Sequence, residues 1–367
     1  MSTEIGQASG STADAASPAF VATTVFPRVH AWETLLLAWD RVEENEGGPG
    51  VDGVTLDDFE LRLDEELQTL QHNLRDHIYH PQPLLRALMP KPSGGTRVLA
   101  IPTVRDRVAQ SAAALVITPI LEREFETASF GFRKRRSVPH AVAQVRRYYE
   151  EGYRWVVDAD IDNFFDEVEH EHLLARLRES IPDEEFLQLV RAWLTAPLKD
   201  GGRLIERSRG LPQGGPISPV LANLYLDRFD EALLARGIRL VRFADDFIIL
   251  CKERPQAEAA LEITEGLLRD LQLSLDADKT QVTHFDRWFR YLGHLFLRSM
   301  VIPSPNRLQR RDALTAGPSG TATEAPPGPT AKAATPAKPA KTSPARVAAP
   351  RPLASLRTRG RSARALC

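Results

Sequence analysis

Cysteine is nearly absent. Cys251 and Cys367 are the only two in 367 residues, too few for a disulfide framework, so a reducing compartment, the cytoplasm, is expected. No apolar run approaches the roughly 20 residues that span a bilayer. The start, Met1-Ser2-Thr3-Glu4, lacks the basic and apolar regions of a signal peptide. A membrane is therefore not an expected partner. With 22 glycines the chain is not collagenous, and with 43% hydrophobic, 26% charged and 7% aromatic residues it has ordinary globular composition.

Net charge is also low, at −2, but it hides an asymmetry. Residues 301–367 hold 12 Lys and Arg, 2 Asp and Glu and 11 of the 27 prolines, against 35 basic and 47 acidic residues in 1–300. Three segments follow: a Ser/Thr/Ala/Gly-rich disordered start (1–25), an acidic body (26–300) and a disordered basic tail (301–367). A body this acidic does not announce nucleic-acid binding by its overall charge, so local clusters must carry that reading.

Within the body, Trp32, Leu35, Leu36 and Trp39 recur at helical spacing, as do Leu63, Leu67, Leu70 and Leu74. Leu84–Met89 and Arg97–Ile101 predict a hairpin with a Gly-rich tip. Thr103 with Asp106 resembles a capping box opening a helix to about Ile117. Arg154–Ile161 predicts a strand, 170–179 a helix, and Lys199–Arg203 a hairpin turn. Pro219–Arg236 predicts an amphipathic helix ended by Gly237. Arg239–Phe243 and Phe247–Leu250 predict two strands, 255–270 another helix, and 281–285 and 289–293 short extended pieces. Regular patterning dissolves after about Ser299. Helices alternating irregularly with antiparallel hairpins predict an α+β fold rather than a doubly wound parallel sheet.

The chemistry sits in the carboxylates. Asp245-Asp246 lies between two apolar strands, and a tight turn there would push both acids out at a sheet end. A bare Asp-Asp pair also suits a plain polar turn, but apolar flanks on both sides favour a charged site that needs a cation. Mg²⁺ fits, since it prefers hard oxygen ligands and shares its shell with phosphates. Asp158, Asp160, Asp162 and Asp166 form a second acidic strand end, and alternation would put the first three on one face if the strand stayed regular. Two such strand ends are what a two-metal phosphoryl-transfer centre requires.

At these residues the chain resembles reverse transcriptases, close to the group II intron-encoded type and nearest in flavour to its CRISPR-associated relatives. Asp160–Phe165 is similar to their first catalytic block, and Gly210–Pro219 with Val220–Asp227 to a later one. Arg242-Phe243-Ala244-Asp245-Asp246 is similar to their aromatic-Ala-Asp-Asp box. Gly50–Gly53, Ile101–Arg107, Ser129–Arg133, Asp278-Lys279-Thr280 and Tyr291-Leu292-Gly293 follow in the family's order. The resemblance covers about 30 to 300. It implies right-hand fingers and palm with an antiparallel palm sheet, and an RNA-directed DNA polymerase with two Mg²⁺ ions or, in their place, Mn²⁺.

By this resemblance Asp160, Asp245 and Asp246, with the Ile161 carbonyl, would hold metal, Asp158 and Asp162 standing behind them or facing solvent. Lys279 would protonate the departing pyrophosphate. Lys91 and Arg97 would clamp the triphosphate. Phe165 would exclude a ribose 2′-hydroxyl, and Gln213 and Gly214 would bring backbone close to the nucleotide. Arg133, Lys134, Arg135 and Arg136, with Arg146 and Arg147, are candidates for template phosphates. Tyr291 and Gly293 would support the primer. For Lys91, Phe165, Lys279 and the basic run the plain alternatives are a loop lysine, core packing, a turn-end lysine and a solvated face.

Two positions depart from the family pattern: Asp162 stands where a basic residue is usual, and Phe243 replaces a tyrosine. After Gly293 no thumb segment is recognisable, so the fold expectation is fingers and palm without a thumb. The tail reads three ways: a basic RNA tether, a linker to a partner, or a frameshift remnant. The partners implied are an RNA template, a DNA or RNA primer and dNTPs, with a group II intron RNA or a CRISPR integrase complex as the setting. A non-catalytic RNA-binding splicing or assembly factor is the alternative.

Overall fold

The computed structural model describes residues 24–90 and 96–303. The expected disordered ends fall outside these residues except at their edges. Val25 is buried, and its N–H and that of Phe26 donate to Asp183 at 2.7 and 2.9 Å, while residues 301–303 belong to a strand.

Four helices open the described residues: α1 (Phe26–Val29), α2 (Trp32–Glu44), α3 (Leu56–Glu60) and α4 (Leu63–Arg75). Leu35, Ala38, Trp39 and Val42 on α2, and Leu67, Leu70 and Leu74 on α4, form the buried stripes that their spacing predicts. The hairpin β1 (Leu84–Pro90) and β2 (Thr96–Ile101) follows. Next comes α5 (Val104–Leu121), buried on most sides and four residues longer than expected. Thr103 Oγ1 accepts the Asp106 N–H at 3.1 Å as an N-cap should. The Asp106 carboxylate does not complete a capping box. It is buried and accepts from Tyr79 (2.6 Å), Thr103 (2.8 Å) and the Gln82 N–H (3.1 Å).

Helix α6 (Val138–Glu150) leads into β3 (Trp155–Asp160), α7 (Phe164–Glu167), α8 (His170–Ser180), α9 (Glu184–Thr195) and a short hairpin, β4 (Leu198–Asp200) and β5 (Arg203–Ile205). The chain continues through α10 (Ser218–Ala235), β6 (Arg239–Phe243), β7 (Asp246–Cys251), α11 (Arg254–Asp270) and β8 (Gln281–His284). The described residues end with β9 (Phe289–Tyr291), β10 (His294–Leu297) and β11 (Met300–Pro303). Patterning therefore does not dissolve at Ser299: β11 pairs antiparallel with β10. A thumb would lie beyond this point, and everything after Pro303 is outside the described residues.

The fold is α+β as expected. The central sheet runs β6-β7-β3-β8 and is antiparallel throughout. Both its faces are covered. Val157, Ala159, Leu240, Phe247 and Ile249 pack into the main core with α5, α8, α9 and α10. Val156, Val241, Ile248 and Leu250 pack against α6 and the β9–β11 sheet. Two buried faces explain why β7 reads as an unbroken apolar run instead of alternating. The second sheet, β2-β1-β4-β5, joins β1 to β4 in parallel and is otherwise antiparallel. Among the described residues no helix is long and apolar enough to cross a membrane.

Candidate active site

The site lies where β3 ends beside the β6–β7 turn. Asp160, the last residue of β3, is the register partner of Asp246, the first of β7. The turn is tight enough to hold Ala244 at φ +60. Gly131 lies against it, so close that a Cβ there would meet the Ala244 nitrogen at 2.3 Å. Past Asp160 the chain bridges to Leu275: Asp162 N–H donates to Ser274, and Asp276 N–H to Asp160, each at 2.9 Å. That pattern turns the Ile161 carbonyl away from Leu275, to the side of β3 on which β7 and Asp245 lie.

Asp160, Ile161 and Asp245 line one cleft of about 1040 Å³. Arg97, Phe165, Gln213, Gly214 and Lys279 line the same cleft. Five separate chain segments thus bring eight of the expected residues together. Asp246, half-buried like Asp160 and Asp245, does not line the cleft. Lys91 lies outside the described residues.

Concentrated negative charge governs the electrostatics. Burial, then Asp158, Asp160 and Asp245, push the Asp246 carboxyl up to about 8. Burial and the neighbouring Asp160 lift Asp158 to about 6, against a 3.1 Å hydrogen bond from Gln281. Asp245 is also raised, chiefly by burial and then by Asp160, with Arg97 and Lys279 drawing it back. The Lys279 ammonium is 2.5 Å from Asp160 Oδ2 and 2.7 Å from Asp276 Oδ2. Those two contacts raise its pKa, so it stays charged.

The donor set suits a hard divalent cation: carboxylate oxygens and one free-facing carbonyl, with no soft ligand. Among the described residues no trio of His, Cys, Asp or Glu is already arranged around a metal position. Mg²⁺ does not require one, because one or two carboxylates plus substrate phosphates and water commonly complete its shell.

Around the carboxylates, Arg97 is exposed on β2. The loop of Gln213 and Gly214 is bound to that strand: Ala100 N–H donates to the Gln213 carbonyl at 2.9 Å, and Gly214 has φ +129. The half-buried Phe165 ring packs edge-on against Phe164 (5.3 Å) and Phe132 (6.5 Å).

Several expectations change. Arg133 is not a phosphate contact. Its guanidinium is buried, paired with Glu122 at 2.7 Å and bonded to the carbonyls of Phe125, Glu126 and Ser129. Arg136 is half-buried on the carbonyls of Thr127 and Ser129. Lys134 and Arg135 alone of the four stay fully exposed. Arg146 and Arg147 are exposed but paired one turn along with Glu150 and Glu151. Tyr291 is buried, and its hydroxyl donates to the Val241 carbonyl at 2.9 Å, so it props the β6–β7 hairpin instead of facing a primer. Gly293 remains exposed in the β9–β10 turn. Asp158 and Asp160 share one face of β3 as alternation predicts, but the strand ends at Asp160, so Asp162 does not continue that face and lies exposed at the cleft rim. Asp276 and Gln281, which hold Lys279 and Asp158, were not foreseen. Only the i,i+3 spacing of Asp276 and Lys279 could have pointed to the first.

The chain is similar to several known proteins. The family model described as Reverse transcriptase (RNA-dependent DNA polymerase) matches residues 89–296. Protein YkfC of Escherichia coli (strain K12) is 36% identical over 289 residues, 68% of this chain and 76% of YkfC. Group II intron-encoded protein LtrA of Lactococcus lactis subsp. cremoris is 32% identical over 223 residues, 59% of this chain and 37% of LtrA. A chain of the solved partial Cas6-RT-Cas1--Cas2 complex is 33% identical, with TM-score 0.44, over 68% of this chain and 42% of that one. The chain thus spans about three quarters of YkfC and less than half of the other two. On a family model that covers more than half its length and a relative matched over most of its own, this chain belongs to the reverse transcriptase (RNA-dependent DNA polymerase) family.

Proposed function

We propose that the chain is an RNA-directed DNA polymerase that adds dNTPs to a primer 3′-hydroxyl on an RNA template by two-metal-ion phosphoryl transfer. The observation that carries this reading is the meeting of Asp160 with the Asp245-Asp246 turn at one sheet end, where Asp160 and Asp245 line a cleft shared with Arg97, Phe165 and Gln213. Reverse transcriptases as a family use divalent cations such as Mg²⁺, and Asp160, Asp245, the Ile161 carbonyl and Asp246 would hold them. Bound cations supply Lewis acidity to the attacking and leaving oxygens.

The chain's own residues do the rest. Arg97, permanently charged and exposed on the cleft wall, binds the triphosphate. Gln213 and Gly214, anchored to β2, bring backbone against the nucleotide. Phe165, braced by Phe132 and Phe164, closes the space a ribose 2′-hydroxyl would need. Lys279 keeps its proton until phosphate replaces Asp160 as its partner, then holds that proton at the leaving oxygen. Lys134 and Arg135 meet template phosphates, which makes binding steeply salt-dependent. By likeness to LtrA and to the Cas6-RT-Cas1--Cas2 chain, the partner would be a group II intron RNA or a Cas1–Cas2 assembly, and copying RNA into DNA is the same step in both. Purified protein with Mg²⁺, dNTPs and a primed RNA should extend the primer. RNA binding without any extension would instead mark a non-catalytic RNA-binding factor.

A further inference from the structure

The residue that opens the aromatic-Ala-Asp-Asp box is a charge almost wholly enclosed beside the site. Arg242 is 1% exposed on β6, and a buried guanidinium must find partners for its donors. Two donors go to Asp230 of α10, itself 0% exposed: Nε to Oδ1 at 2.7 Å and Nη2 to Oδ2 at 2.5 Å. Nη1 donates to Asn223 Oδ1 at 3.1 Å and to the Ala244 carbonyl at 2.9 Å. Asn223 passes the connection on, its Nδ2 donating to the Gly131 carbonyl at 2.9 Å. The Arg242 backbone is tied to the same segment, its N–H to Ala128 (2.9 Å) and its carbonyl from Phe130 N–H (2.8 Å).

Stability is a poor reason for this arrangement. Well-packed apolar side chains commonly do as well as a buried ion pair. What the pair does here is geometric. Ala244 is held at φ +60, a conformation that residues with a Cβ persist in only when their surroundings impose it. The Nη1 bond fixes its carbonyl from one side, and Gly131, held through Asn223, closes on its nitrogen from the other. The next residue is Asp245.

We infer that Arg242, clamped by Asp230 and Asn223, is a positioning residue that sets the left-handed turn at Ala244 and thereby aims the Asp245 carboxylate into the cleft beside Asp160. Its kinetic consequence rests on the polymerase reading; its structural consequence does not.

The test compares wild type, Arg242→Lys and the double variant Arg242→Met with Asp230→Leu. Lysine keeps the charge opposite Asp230 but cannot also reach Asn223 and Ala244 in a fixed fork. In Arg242→Lys, hydrogen exchange across 243–248 should quicken about tenfold relative to α5, and kcat should fall about 10- to 100-fold, the usual effect of losing an outer support of a metal centre. The KM for dNTP should stay within about twofold, because Arg97 and Gln213 are untouched. The double variant should regain the wild-type Tm without regaining kcat. A folded Arg242→Lys with wild-type exchange and kcat overturns the inference. So does exchange that quickens equally everywhere, or a double variant that recovers both Tm and kcat. If wild type fails to polymerise while the turn responds as described, the polymerase reading falls and the positioning role stands.

Discussion

The ammonium of Lys279 rests 2.5 Å from the Oδ2 of Asp160, occupying the mouth of the acidic cluster with a positive charge of the chain's own. A divalent cation would compete with it for that oxygen. Lys279→Met should therefore lower the Tm of the EDTA-treated protein slightly, by no more than about 1 kcal/mol in stability, since the lysine is largely exposed. The gain in Tm on adding Mg²⁺ should be larger in the variant than in wild type, and kcat should fall. Thermal melts with EDTA and with Mg²⁺ check the first two outcomes; an equal gain in both proteins would contradict the competition.

Charge crowding also sets a pH dependence. Asp246 is pushed up to about 8 and Asp158 to about 6, above the roughly 4 of an unfolded carboxyl. Their protonated forms stabilise the metal-free fold fully below pH ~4, and that contribution is lost as pH rises through 6 and then 8. Mg²⁺ needs the ionised forms, so its binding should tighten from pH 6.5 to 8.5 and release protons. Isothermal titration at both pH values, in buffers of different ionisation enthalpy, measures this; equal affinity without proton release would contradict it.

The basic run divides by burial. Arg133→Ala breaks the pair with Glu122 and strands its carbonyl partners, so it should cost on the order of 3 kcal/mol in unfolding free energy. Lys134→Ala and Arg135→Ala should leave the Tm unchanged. Each should reduce the salt slope of template binding by about 1. Denaturant melts and binding isotherms across salt concentrations separate the two effects.

That division shows what the sequence could and could not reveal. The β6–β7 hairpin was legible because an apolar run buried on both faces is broken only by the residues that hold the acids. The inward turn of Arg133 was not. Four consecutive basic residues read alike, and only left-handed φ values at Phe132 (+58) and Arg135 (+65) swing one of them inside. Sheet order was hidden for a similar reason: β3 pairs with β7 and β8, strands about 90 to 130 residues later in the chain, and no local pattern encodes that choice. Helix α9 did carry a signal in Phe186, Leu187, Val190, Trp193 and Leu194, with Asp183 as its cap.

Phe165 should set sugar choice. Phe165→Ala opens the space between Phe132, Phe164 and the cleft, and should raise ribonucleotide incorporation relative to dNTP about tenfold or more, equivalent to ~1.4 kcal/mol in the transition state. Single-nucleotide extension with matched rNTP and dNTP pairs reads the ratio. No change would assign Phe165 to packing alone.

The central claim is that Asp160 and Asp245 act as one centre, and the most direct measurement is primer extension on an RNA template by wild type, Asp160→Asn and Asp245→Asn, each melted in parallel. Removing a like charge should leave the EDTA Tm of Asp245→Asn equal to or above wild type, because crowding destabilises the apo site. Extension should nevertheless fall by about a thousandfold or more in both variants, the loss expected when a group acting on the transition state is removed. Wild-type extension by a folded Asp245→Asn would contradict the account.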